Sequence, residues 1–145
     1  MRFHKALFPL LVAVLMFGIM GNAAADMDAK HKIVIQVSSG DAATQTLALN
    51  NVVNLQKELG MDNVAIELVA YGPGLSILTA NSEQSERVKS LALQDITFSA
   101  CGNTMKKMAK ATGKEPVLTA GVGIVPGGVI RIMELQEAGY SYLRP

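Results

Sequence analysis

The feature that most limits what this chain can become is an alternation that begins at Lys32 and continues to its end. Short β-branched runs take turns with longer stretches whose apolar residues recur at helical spacing. Lys32-Ile-Val-Ile-Gln-Val37 predicts a strand, stopped by Ser38-Ser39-Gly40. Asp41 stands where a helix needs a cap. Leu47, Leu49, Val52, Val53, Leu55 and Leu59 then place one apolar stripe on a helix over 42–59, which Gly60 closes. Val64–Ala70 predicts a second strand, ended by Tyr71-Gly72-Pro73-Gly74. After a short segment over 75–79, Ser82 and Ser85 offer caps for a helix reaching about Leu93. Residues 95–100 predict a third strand, and Cys101-Gly102-Asn103-Thr104 opens a helix that Gly113 ends. Residues 117–125 predict a fourth strand with its exit loop. Pro126-Gly127-Gly128 precedes a helix over 129–138, and Tyr140–Leu143 is a last strand. The alternation predicts an α/β fold: a five-stranded, mainly parallel sheet, flavodoxin-like, with helices on both faces.

Residues 1–25 lie outside this pattern. Arg2, His4 and Lys5 give a basic start, Ala6 to Gly21 is nearly all apolar, and Ala23-Ala24-Ala25 supplies small residues before Asp26. That order predicts a secretory signal peptide cleaved after Ala25. The apolar run falls short of the ~20 residues that span a bilayer. The expected organisation is therefore signal peptide 1–25, polar leader 26–31 and one domain over 32–145, periplasmic and free of the membrane after cleavage. Without the leader, 12 acidic residues face two fewer basic ones than the whole chain's 13, and Phe98 is the only Phe left. A slightly acidic, aromatic-poor domain has neither the basic footprint nor the stacking platforms that nucleic acid binding requires.

In a sheet of this kind ligands sit beyond the carboxyl ends of the strands. The loops leaving that edge nominate Ser38, Ser39, Tyr71, Gly72, Gly74, Gly102, Asn103 and Thr104 as substrate-binding residues. The same glycines also suit tight strand-to-helix turns that bind nothing. Cys101, the only cysteine, falls where a strand ends and a helix begins. Unpaired N–H groups there favour a thiolate, which points to a nucleophile. The other reading is a small apolar side chain in the core. A hydrolase is disfavoured because His31, the only histidine after the leader, belongs at the opposite end of the sheet. Neither a thiolate-rich metal motif nor a phosphate-binding glycine motif occurs, so no metal or cofactor is expected. Met105 and Met108 follow Cys101 on one helix face and read as core packing. Lys106 and Lys107 read as solvated, with a mildly electropositive influence on Cys101.

Three segments carry a family resemblance: Val69-Ala-Tyr-Gly-Pro-Gly-Leu75, Phe98-Ser-Ala-Cys-Gly-Asn-Thr104, and the close from Val125 to Pro145. Together they resemble the DsrE/DsrF-like family over essentially all of 31–145. The resemblance implies a five-stranded flavodoxin-like fold and a homo-oligomer, commonly a trimer or hexamer. It also implies sulfur carried as a cysteine persulfide between donor and acceptor proteins, with the reactive cysteine after the third strand, a position that maps onto Cys101 alone. Sulfur-relay members are cytoplasmic, whereas this chain carries an export leader. Two functions are thus expected in competition. One is an exported sulfur carrier or sulfurtransferase using Cys101, and the other is a non-catalytic oligomeric binding or assembly module in which Cys101 is packing.

Overall fold

A computed structural model of the chain describes residues 29–145. The expected signal peptide and residues 26–28 of the leader lie outside the described residues. Five strands follow the sequence pattern: β1 His31–Val37, β2 Val64–Ala70, β3 Thr97–Cys101, β4 Val122–Val125 and β5 Ser141–Leu143. The helices are α1 Ala42–Leu59, α2 Ser85–Ala92, α3 Gly102–Thr112 and α4 Gly128–Glu137, with short 3-10 turns at Met61–Asn63 and Gly72–Leu78. All strand pairs are parallel, in the order β4-β3-β2-β1-β5. Every residue of β2 is buried, as expected for the central strand of a sheet covered on both sides.

Chain direction decides which helix covers which face. The first three crossovers step the same way along the sheet, so right-handed connections place α1, α2 and α3 on one face. There Ile35, Leu68 and Phe98 meet Leu49, Val88 and Met105 in the main core. The fourth crossover runs back from β4 to β5 and puts α4 on the other face. Ile132 and Leu135 of α4 pack on Val34 and Val69. A single helix thus covers that face among the described residues.

A charged residue fixes the position of this helix. Glu67 interrupts an otherwise apolar strand and is 3% exposed. Arg131 of α4 donates to it from Nε at 2.8 Å and Nη2 at 2.7 Å, and Ser99 of β3 donates its hydroxyl at 2.6 Å. Breaking such a pair on one side leaves an uncompensated buried charge, at a cost of about 3–5 kcal/mol.

Three local expectations differ from the structure. Residues 117–119 do not join β4. Ala80 N–H donates to the Val117 carbonyl at 2.8 Å and Thr119 N–H to the Leu78 carbonyl at 2.9 Å, a small antiparallel contact with a distant segment. The Gly72–Leu78 turn occupies what sequence leaves as a plain connection. Gln84, not Ser82 or Ser85, precedes α2. The Ser82 hydroxyl instead accepts the Gln84 N–H at 3.1 Å and shapes the turn before the helix. Asp41 does cap α1, accepting the Thr44 N–H at 2.8 Å, and that bond holds its carboxyl below the usual carboxylate range.

The loops after β1 and β2 are locked together at the carboxyl edge. Tyr71 N–H donates to the Val37 carbonyl at 3.1 Å and Gly74 N–H to the Ser38 carbonyl at 3.2 Å. The approach is so close that a Cβ on Gly74 would run into the Val37 carbonyl. Gly74→Ala should therefore destabilise the fold by ~3 kcal/mol, the upper end of overpacking costs, read as a lowered urea midpoint. An unchanged midpoint would show that this junction yields freely.

Candidate functional site

Adjacent strands whose following helices leave on opposite faces open a crevice at their carboxyl ends. In this sheet those strands are β3 and β4. Cys101 is the last residue of β3, lies in register with Val125 of β4, and stands immediately before α3. Its sulfur therefore sits between the amino ends of α3 and α4, which approach from the two sides of the sheet.

Burial of Cys101, which is 5% exposed, would alone push its thiol up. Hydrogen bonds outweigh that effect and hold the thiol below the ordinary cysteine value: the Thr104 hydroxyl first, then the N–H groups of Gly128, Thr104 and Asn103. The sulfur closes no strict cap bond on α3, so these donors act as a loose cradle around it. Asn103 N–H also donates to the Pro126 carbonyl at 3.2 Å, which fits its place as the weakest contributor. The Thr104 oxygen accepts the Gly72 N–H at 2.9 Å. Gly128 reaches the sulfur because it lacks a side chain: a Cβ there would press on the Tyr71 ring at 3.1 Å. A groove of about 640 Å³ runs between α3 and α4, bordered by Asn103, Lys106, Val125, Gly127 and Ile130.

The nominated residues divide into two groups. Thr104 and Asn103 supply donors, Gly102 lies flush against the Val125 carbonyl, Gly72 holds Thr104, and Tyr71 backs Gly128. Ser38, Ser39 and Gly74 find their partners in the loops after β1 and β2 and at the end of β1. The Ser38 hydroxyl accepts from Gln36 at 3.3 Å, and the Ser39 hydroxyl accepts the Asp41 N–H at 3.1 Å. Lys106 and Lys107 are exposed on α3, as expected. Met105 and Met108 pack in the core as expected. His31 is exposed at the start of β1, paired with Val64 at the start of β2, so it lies at the far edge from Cys101. No group of three or more His, Cys, Asp or Glu residues that could hold a metal ion is found among the described residues.

Two partners were not nominated from the sequence. Gly128 contributes only a backbone N–H, and its sequence signal is a Gly-Gly pair just before a helix at the ligand edge. The other is Gln36, which holds the nominated Tyr71: its side-chain amide donates to the Tyr71 hydroxyl at 2.6 Å and accepts from Tyr142 of β5.

The profile of the DsrE/DsrF-like family matches residues 31–145. The chain belongs to the DsrE/DsrF-like family. Among solved structures it is similar to MTH1491, a protein of unknown function from Methanobacterium thermoautotrophicum, at 35% identity and a TM-score of 0.71. The match covers 79% of this chain and 99% of that one. It also shares its fold with the YchN protein of E. coli, at 16% identity, a TM-score of 0.62 and the same coverage of each chain. Comparison with curated proteins gives no match. The five-stranded parallel sheet expected from the resemblance is thus the fold of this DsrE-like chain.

The cradle has a direct consequence for thiol chemistry. Iodoacetamide labelling of folded protein should reach its half-maximal rate at a lower pH than labelling of the urea-unfolded chain. Because the folded thiol titrates below the unfolded one, its contribution to stability is complete above the unfolded value. That contribution is lost as pH falls through the folded value. Equal labelling midpoints in the two states would mean that the cradle does not act on the sulfur.

Proposed function

We propose that this DsrE-like protein is an exported sulfur carrier in which Cys101 holds sulfane sulfur as a persulfide. The observation that carries this reading is the place of Cys101, the last residue of β3 and the cap position of α3, where nearby hydrogen-bond donors hold its buried thiol below the ordinary cysteine value. Such donors stabilise negative charge on the attacking atom, and they suit a thiolate or perthiolate better than a packing side chain. Family membership agrees with it.

The reaction is redox-neutral overall. The Cys101 thiolate attacks the outer sulfur of a donor persulfide R–S–SH. A bond forms between Sγ and that sulfur, the donor's S–S bond breaks, and R–S⁻ leaves with the electron pair. The proton stays with the transferred sulfur, which then stands as Cys101–S–SH. An acceptor thiolate removes it by the same step in reverse sense, returning the Cys101 thiolate. No base is required once Cys101 is ionised, consistent with a site whose histidine lies at the other edge. The reaction also draws on no metal or organic cofactor.

Incubation with inorganic polysulfide should add one sulfur atom, about 32 Da, to the intact protein and none to Cys101→Ala. No adduct, or an equal adduct on the variant, overturns the carrier reading. Slow labelling of the folded thiol alongside it would favour the binding-module alternative.

Export and self-association belong to the same reading. Export rests on the basic, apolar and small-residue order of residues 2–25. Self-association as a trimer or hexamer rests on the sheet face that α4 alone covers. Val129, Ile130 and Met133 stand exposed on α4 there, an apolar surface suited to a second copy. Native mass spectrometry of the protein recovered from the periplasm should give subunits beginning at Asp26, assembled in multiples of three. A chain retaining Met1, or a monomer at micromolar concentration, overturns the corresponding half.

A further inference from the structure

The two edges of the sheet are protected differently. β5 is three residues long and runs straight into Arg144 and Pro145, a charge and a residue that cannot donate. β4, Val122-Gly-Ile-Val125, holds neither a charged residue nor a proline. Among the described residues it pairs with β3 alone, and Gly123 and Ile124 stand exposed. Such an edge turns unpaired N–H and C=O groups outward and is a ready template for another strand.

The two faces beside this edge differ in charge. Ile124 is in register with Ala100 of the main core, so its side chain leaves on the face that α3 covers, and it is 61% exposed. α3 carries Lys106, Lys107 and Lys110 and no acidic residue. Lys106 borders the same groove as Ile124, and Lys110 follows one turn later on that side of the helix. Both lysines are exposed, and neither enters an ion pair among the described residues. Gly123 is in register with Ser99 and faces the other way, where the two border a hollow of about 310 Å³. Asp95 also borders that hollow, so a carboxylate is welcome only on the α3 side.

This charge pattern decides between occupants. An antiparallel pair of β4 strands from two copies would be related by a two-fold axis through the joined sheet. Both α3 helices would then lie on one face, with their lysine rows turned toward each other and no acid between them. A strand with carboxylates on one face and uncharged side chains on the other meets no such conflict, because successive side chains alternate between faces.

We propose that the free edge of β4 receives an extended acidic segment of a partner protein, whose carboxylates turn toward Lys106 and Lys110 of α3. Ladder hydrogen bonds to β4 hold the segment, and the lysines select it. The inference goes beyond the sulfur-carrier reading and stands without it, since no atom of Cys101 takes part.

The probe is a capped peptide of alternating Val and Glu, titrated into the full protein and followed by hydrogen exchange. Exchange over residues 122–125 should slow on binding. The same peptide with Lys in place of Glu, or with alternate amides N-methylated, should give no slowing. Lys106→Glu/Lys110→Glu, confirmed folded by circular dichroism, should weaken binding by about tenfold, the sum of two reversed surface pairs. Raised salt should weaken binding to the wild type. Should that variant fail to fold, Lys106→Gln/Lys110→Gln should still bind more weakly than the wild type. No slowing over 122–125, equal binding of the lysine peptide, or unchanged affinity in the folded variant overturns the proposal. Protection of 122–125 that grows with protein concentration in the absence of peptide makes a second copy the occupant, and overturns it too.

Discussion

The ion pair between Glu67 and Arg131 is the interaction from which the rest of the site follows. A carboxylate in the middle of a fully buried strand must find a partner, and only α4 on the second face supplies one. Ser99, the third member, lies two residues before Cys101 on β3, and Arg131 lies three residues after Gly128 on α4. The triad therefore sits just beneath the sulfur and clamps the three elements that meet there. Shape-tolerant apolar packing of Ile132 and Leu135 on Val34 and Val69 holds the helix down. The directional bonds of the triad set where its first turn falls.

The two layers of the fold play different parts. The thick layer of α1, α2 and α3 buries most of the apolar side chains and supplies the stability on which everything else rests. The thin layer, α4 alone, buries little but brings the Gly128 N–H to the sulfur. Crossover handedness makes this division unavoidable: a connection that reverses direction along the sheet must pass over the opposite face. The crevice at Cys101 is the junction between the layers.

The sheet, most helix limits and the edge that bears Cys101 were legible in the sequence, because they rest on local periodicity and on caps such as Asp41. The short extent of β4 was not. Val117–Thr119 has strand character, but it is spent on Leu78 and Ala80, nearly forty residues away, and no local pattern reveals that pairing. At the site, Cys101, Tyr71, Gly72, Asn103 and Thr104 were legible as residues of the carboxyl edge. Their division of labour was not, since it depends on which N–H meets which oxygen. Gly128 acts through its backbone, so no side-chain chemistry marks it. Glu67 was visible only as an oddity within an apolar run, its partner 64 residues distant.

The locked junction between the loops after β1 and β2 bears on how the sulfur responds to charge. In water, an ion that appears must wait for solvent dipoles to turn toward it, and that turning is much of the barrier to reaction. At Cys101 the equivalent dipoles are peptide groups and one hydroxyl whose directions were set when the chain folded. A sulfur that gains or loses a negative charge meets the same surroundings each time, so repeated changes of charge need carry little reorganisation.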